Sequence, residues 1–375
     1  MASRSPRTTL VTGFPTSFLA ARMTRKLLAE DPEVEVRCLV QEKFLARAEE
    51  IARELPPAHR KRLVLLEGDV ASMDMGLSGK EFLELAASVD VIHHCAAATY
   101  LGVEREVAQR LNVEGMREVL ELAREASHLE RLVHWSSALV SGKRRGVVHE
   151  DDVEHGPFRN VVEETRWHAE RLVRAASPSL PVTILRPSIL VGDSSTGEID
   201  RFEGPYLLVM LMLSTPVDLR VPLPGSGDVA LNLVPIDYVV DAGSAIARDP
   251  RSIGRTFHLV DPRPATAREV FELIAHSAGR PSPRGSVPTN LATALLRTPG
   301  LERFANVPRA FLEQLATEVS YDDRGAREIL GTNGPTCPRF ATYVDVMVDF
   351  VRRQQSEQRR AKEVPVEVEQ EDPLA

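Results

Sequence analysis

The residues whose types and spacing could do chemistry stand at the ends of short apolar runs. Gly13 follows Thr9, Leu10 and Val11, and a helical repeat of Leu19, Met23 and Leu27 begins within a few residues of it. A strand, a glycine turn and a helix N-terminus in succession make an anion site. The first helical N–H groups lack partners, and the dipole's positive end points at the turn. The usual occupant is a dinucleotide pyrophosphate, whose signature carries three glycines. Here only Gly13 remains; Ser17 and Ala20 hold the other glycine places, and the turn around Pro15 is one residue longer. Asp69 could accept from an adenine amino group, and Ala96, Ala97 and Ala98 would let a ribose lie against backbone. Ser136-Ser137 and Arg186-Pro187 close two further apolar runs. His93, His94 and Cys95 invite a metal reading. Consecutive strand side chains point to opposite faces, so the three cannot converge on one ion, and no metal site is expected.

The elements that must position these groups follow from periodicity. Strands are expected at 9–11, 34–40, 62–67, 89–96, 132–135 and 181–185. Helices fall between them: one from Ser17 onward, then 42–54, 77–87, 104–126 and 162–175. In the helix at 104–126, Val107, Leu111, Met116, Val119 and Leu122 form the inner side. Strands alternating with helices imply right-handed βαβ units, hence an α/β fold with a doubly wound parallel sheet. Ligands of such a sheet sit beyond the carboxyl ends of its strands. That rule gathers Gly13, Asp69-Val70, 95–98, Ser136-Ser137 and Arg186-Pro187 on one rim. From Gly192 to Gly225 prolines and glycines loosen the rhythm. Runs at 229–234 and 256–260 read as strands able to rejoin the sheet, and 265–353 reads as mainly helical. The expected domains are a dinucleotide-binding Rossmann unit over 1–192, rejoined by 226–262, and a smaller, mainly helical substrate lobe from 193–225 and 263–353. A charged, disordered tail is expected over 354–375.

Bulk properties narrow the partners. The 375 residues carry a net charge of −8, against a nucleic-acid partner, which needs a basic face. No apolar run reaches the roughly 18 residues that span a bilayer; the nearest, YLLVMLML at 206–213, reads as a buried helix. The N-terminal MASRSPRTTL has no apolar stretch of the secretory kind. Cys38, Cys95 and Cys337 are far apart and read as reduced thiols of a cytoplasmic protein. An oligomer is compatible with all of this.

Taken in order, VTGFPTSFLA, GDVASMDMGLSGKEF, VIHHCAAATY, LNVEGMREVLELA, HWSSALVSG, EETRWHAERLV, LRPSILVGDSSTGEIDRFEG, NLVPIDYVVDA and CPRFATYVDVMVDFV resemble the extended short-chain dehydrogenase/reductase family. The nearest branch is that of the acyl-thioester and fatty-acyl reductases, and the likeness runs from Thr9 to about Val351. It implies a nicotinamide cofactor and a small-molecule substrate, with an acyl thioester as a candidate whose long chain the 206–213 run would suit. The implied cofactor contacts are Gly13, Thr16, Ser17, Phe18, Leu19, Asp69, Val70, Ala96, Ala97 and Pro187. Ser137 matches the hydroxyl that bonds the substrate carbonyl, and Asn112 the asparagine supporting a catalytic water chain. The family's phosphate-selecting arginine would fall near Gln41 and is absent. Lys43 or Arg47 could serve a 2′-phosphate instead, so NADP is expected, with NAD possible.

One departure is chemical. The family's Tyr-x-x-x-Lys pair falls on Val162 and Arg166. Val162 has no proton to give. Arg166 can bind ribose hydroxyls as a cation, but with a pKa above about 12 it shuttles no proton. Loss of a general acid slows a reaction by about 10² to 10⁴, roughly 3 to 5.5 kcal/mol of barrier. Tyr100 and Lys143, the only tyrosine before Tyr206 and the only lysine near the rim, could rebuild a site with Ser137. Glu163, Glu164 or His168 could also donate. Three readings follow: a reductase with a rearranged site, a non-catalytic dinucleotide-binding sensor or scaffold, and an epimerase or dehydratase.

Overall fold

Alternating apolar side chains along each strand require cover on both faces, and the computed structural model shows that cover. It describes residues 7–100, 102–214, 223–287, 314–315 and 317–363. Seven parallel strands form the central sheet: β1 (Thr8–Thr12), β2 (Glu35–Val40), β3 (Leu63–Glu67), β4 (Val91–His94), β5 (Arg131–Trp135), β6 (Val182–Pro187) and β7 (Thr256–Leu259). Their order is β7-β6-β5-β4-β1-β2-β3, which places the chain reversal between β1 and β4.

Leu10, Ile92, Leu132 and Ile184 face one helical layer, made of α3 (Gly79–Ser88), α5 (Gly115–Glu125) and α6 (Val161–Ala176). Val11, Cys38, Trp135, Leu185 and Phe257 face the other, made of α1 (Phe18–Glu30), α2 (Leu45–Glu54) and α8 (Ile236–Arg248). Gly243 of α8 lies over Trp135, where a Cβ would come 2.2 Å from the indole. That contact admits only glycine and brings α8 down onto β5.

The helix expected over 104–126 is not uniform. α4 (Arg105–Gln109) passes through a π-helical turn, Arg110–Glu114, before α5 begins. The extra residue rotates what precedes it, so Val107 is 39% exposed instead of facing inward.

The smaller lobe packs α7 (Pro205–Ser214) against α9 (Ala267–Ser277) and α10 (Val344–Glu363) through Tyr206, Val209, Phe271, Ile274, Met347 and Val351. Two expectations are corrected here. The strand expected at 229–234 does not rejoin the central sheet; Leu233–Pro235 pairs with Ile189–Val191 in a two-stranded sheet of its own. Only Thr256–Leu259 rejoins, beside β6. The tail is also helical as far as Glu363, because QQSEQRRAKE consists almost wholly of strong helix formers continuing a docked helix. Residues 364–375 lie outside the described residues.

Beyond β7, the carboxylate of Glu150 accepts from His258 N (3.0 Å) in the edge strand. It also accepts from Gly325 N (2.7 Å) and Ala326 N (3.0 Å) at the start of the helix Arg324–Leu330. No helix among the described residues is long and apolar enough to cross a membrane.

Candidate active site

At the end of β1 the backbone turns on Gly13, with φ +93°. A Cβ there would lie 2.8 Å from Ala96 N, so only glycine lets β1 and the loop after β4 approach so closely. Ser17 N and Thr16 Oγ1 both donate to Gly13 O, at 2.8 and 3.2 Å. Ser17 caps α1, its Oγ accepting from Ala20 N at 3.3 Å, while the N–H groups of Phe18 and Leu19 have no partner within the helix. Serine at a glycine place is therefore a cap, and the turn keeps the open donors of an anion cradle.

This turn opens into a cleft of about 1360 Å³ along the carboxyl ends of the strands. Its walls bring together Gly13, Thr16, Ser17, Phe18, Leu19, Asp69, Val70, Ala96, Ala97, Tyr100, Ser137, Val162, Arg166 and Pro187. Gln41, Glu42, Lys43 and Arg47 line it past the end of β2. Asp69 is held by its own turn through Ala71 N (3.0 Å) and by Arg110 (2.7 Å).

The far wall is built by β5 and α6. Ser137 Oγ accepts from Leu139 N at 3.2 Å and donates to Pro187 O at 3.4 Å, so the hydroxyl is fixed where β5 ends. Arg166 Nη2 donates to Trp135 O (2.7 Å) and Ser136 O (2.8 Å). Its Nε is buried with no partner among the described residues. Burial pushes the guanidinium down to about 10, which leaves it a cation at neutral pH.

Asn160 caps α6, its Oδ1 accepting from Glu163 N at 2.9 Å. Its Nδ2 is buried and likewise has no partner among the described residues, although the residue lines the cleft. Glu163 also lines the cleft, but it is 3% exposed and its carboxylate accepts from Arg159 Nη1 at 2.9 Å.

Beneath this wall Glu170 is buried. One carboxylate oxygen accepts from Ser136 Oγ (2.6 Å) and Arg186 Nε (2.9 Å), the other from Arg186 Nη2 (2.6 Å) and Arg174 Nε (2.8 Å). Burial alone would raise this carboxyl; Arg186, Arg174 and Ser136 outweigh it and hold it near 2.

Several expected groups lie elsewhere. Asn112 sits in the π turn behind the cleft wall, 3% exposed. Its Oδ1 accepts from Ala98 N (2.7 Å) and its Nδ2 donates to Thr165 Oγ1 (2.8 Å), tying the loop after β4 to α6. Both ends of the amide are thus spent inside the protein. Lys143, on the loop after β5, does not line the cleft, nor do His168 or Glu164, which pairs with Arg105 at 2.9 Å. Tyr206 is fully buried, and only Pro205 of α7 reaches the cleft, so the 206–213 run is core and not an acyl-chain lining. His93 and His94 face opposite ways: Trp135 Nε1 donates to His93 Nδ1 at 3.4 Å, and His94 Nδ1 meets Thr12 Oγ1 at 2.8 Å.

Sequence reasoning missed Arg201, Asp200 and Glu203, which line the mouth between these walls. The Arg201 guanidinium lies 5.8 Å from the ring centre of Tyr100, which is 38% exposed. Burial raises the Asp200 and Glu203 carboxyls, with Arg201 opposing. The available signal was the charged DRFE inside an otherwise glycine- and proline-rich stretch.

The arrangement is a groove with a glycine turn at one end and polar donors at the other, on a chain that resembles known proteins in sequence and fold. Residues 11–243 match the family model of the NAD-binding male sterility proteins. A protein of the linear gramicidin synthase of Brevibacillus parabrevis is 29% identical over 281 residues, 71% of this chain and 5% of that protein. The fatty acyl-CoA reductase wat of Drosophila melanogaster is 28% identical over 226 residues, 52% of this chain and 43% of that protein. The chain thus spans less than half the length of either relative. Among solved structures, the terminal R domain from the myxalamid PKS-NRPS biosynthetic pathway superposes with a TM-score of 0.79 at 26% identity, covering 95% of this chain and 92% of that one.

Proposed function

Because this chain belongs to the NAD-binding male sterility protein family, within the extended short-chain dehydrogenase/reductases, we propose that it reduces an acyl thioester with a nicotinamide dinucleotide held in the cleft. The observation that carries this reading is the continuous groove from the Gly13 turn to Ser137 and Arg166, with a Cβ-excluding approach at Gly13 and unpartnered buried donors at its far end. Phe18 and Leu19 N–H groups face the pyrophosphate, Asp69 and Val70 the adenine, and Ala96, Ala97 and Pro187 the sugar and ring. The bound reduced nicotinamide supplies a hydride. Ser137 and Arg166 orient the carbonyl and the ribose, and Tyr100 borders the substrate at the mouth. Lys43 and Arg47, both lining the cleft beyond β2, favour the 2′-phosphate of NADP.

Val162 favours a second reading, a dinucleotide-binding sensor without turnover. One experiment separates the two: titrate NADPH and NADH while following the fluorescence of cleft-lining Trp135, then measure thiol release from acyl-coenzyme A. The reductase reading expects tighter NADPH binding and thiol release. Binding without release from any acyl chain length would favour the sensor, and failure of both nucleotides to bind at millimolar concentration would sink both.

A further inference from the structure

A thioester and an aldehyde make different demands on this site. Hydride addition to a thioester carbonyl forms a C–H bond and a tetrahedral oxyanion. That oxyanion re-forms its C=O by breaking the C–S bond, and the electron pair leaves on sulfur. The sum is thioester plus hydride giving aldehyde plus thiolate, while the nicotinamide nucleotide goes from reduced to oxidised. No proton enters. A thiol is far more acidic than an alcohol, about 8.5 for that of cysteine, so the sulfur departs as thiolate unaided. Hydride addition to an aldehyde instead leaves an alkoxide with nothing to expel. Its conjugate acid is about as weak as water, near 15.7, so an acid must supply a proton as the bond forms.

The far wall holds donors that stabilise an oxyanion, but its described residues include no acid placed to protonate one; Tyr100, Asp200 and Glu203 stand at the mouth instead. Val162, which lines the cleft together with Ser137 and Arg166, is apolar. Asn160 and Arg166 both line the cleft, and the N–H groups of the Asn160 amide and the Arg166 guanidinium keep their protons. Glu163 is held by Arg159, and Asn112 is spent on Ala98 and Thr165.

Resting on the reductase reading above, we propose that this site delivers one hydride to a thioester and stops at the aldehyde. Asn160 holds the transient oxyanion, Ser137 joins it by turning its proton away from the long 3.4 Å contact with Pro187 O, and the thiolate departs unprotonated.

The test uses the full chain with NADPH and acyl-coenzyme A substrates from acetyl to palmitoyl, counting NADPH oxidised per thiol released and trapping aldehyde as its hydrazone. Expected are one NADPH per thiol, trapped aldehyde, and direct turnover of the matching aldehyde at least about 100-fold slower than the thioester. In Val162→Tyr the ratio should rise toward two, with alcohol as product; unchanged Trp135 quenching by NADPH and continued thiol release show that this variant is folded. Two NADPH per thiol and alcohol from the unmodified chain would overturn the proposal while leaving the reductase reading intact. Loss of that alcohol in Tyr100→Phe would overturn it by identifying Tyr100 as an acid. A folded Val162→Tyr that still halts at aldehyde would also overturn it. Nucleotide bound with no thiol released from any substrate would overturn the reductase reading and this inference together.

Discussion

Replacing Glu170 by glutamine should destabilise the protein more than the loss of one hydrogen bond. The buried carboxylate faces Arg186, itself 3% exposed, and also takes Arg174 and Ser136. Its carboxyl lies near 2 instead of 4.5. At about 1.4 kcal/mol for each tenfold change in proton affinity, that gap corresponds to about 3 kcal/mol at neutral pH. Breaking a buried ion pair from one side typically costs about 3–5 kcal/mol, because the other charge is left uncompensated. Urea denaturation at pH 7 should therefore show Glu170→Gln less stable by about 3–5 kcal/mol. The sign with pH is fixed by a depressed acid: its contribution is complete above about 4.5 and is lost as pH falls through 2. The gap between the two proteins should narrow over that window. Glu170→Met combined with Arg186→Met should recover most of the loss, since no buried charge remains unpaired. A deficit below about 1 kcal/mol at pH 7, or one that does not shrink with acid, would refute the reasoning.

Gly13→Ala should weaken NADPH-induced quenching of Trp135 at least about tenfold and lower stability by about 1–3 kcal/mol, since it combines positive φ with a 2.8 Å approach to Ala96 N; calorimetric titration and thermal melting read the two effects. Asn112→Ala should cost about 1–3 kcal/mol in urea, because Ala98 N and Thr165 Oγ1 lose a buried partner. If Asn112 only positions the wall, its loss should slow thioester turnover without changing the NADPH-to-thiol ratio.

Much of this architecture was legible from period and punctuation. Leu10 and Val11, or Leu132 and Val133, alternate faces as the short apolar runs require, and the strand ends gather Gly13, Asp69 and Ser137 as an open parallel sheet must. The helix carrying Val162 and Arg166 was legible from its repeat, and both residues reach the cleft. What escaped reading had physical causes. The π turn adds a residue without any sequence mark, turning Val107 to the cleft and Asn112 to the interior. The tie of Asn112 to Thr165 joins residues 53 positions apart, and that of Ser136 to Glu170 joins residues 34 apart; no local pattern encodes either. Charge misled at the tail, where residues read as solvated also form a helix once Val344, Val348 and Val351 are docked.

The carboxylate of Glu150 covers part of one edge of the central sheet. A seven-stranded sheet ends in a strand with unsatisfied backbone groups, and such an edge invites pairing with another chain. Here one glutamate takes the amide of His258 and, with the same two oxygens, the first amides of the helix Arg324–Leu330. A residue in the middle of the chain thereby clamps a late segment over the rim of β7. A truncation that removed that segment would uncover this edge, a template for pairing with another chain.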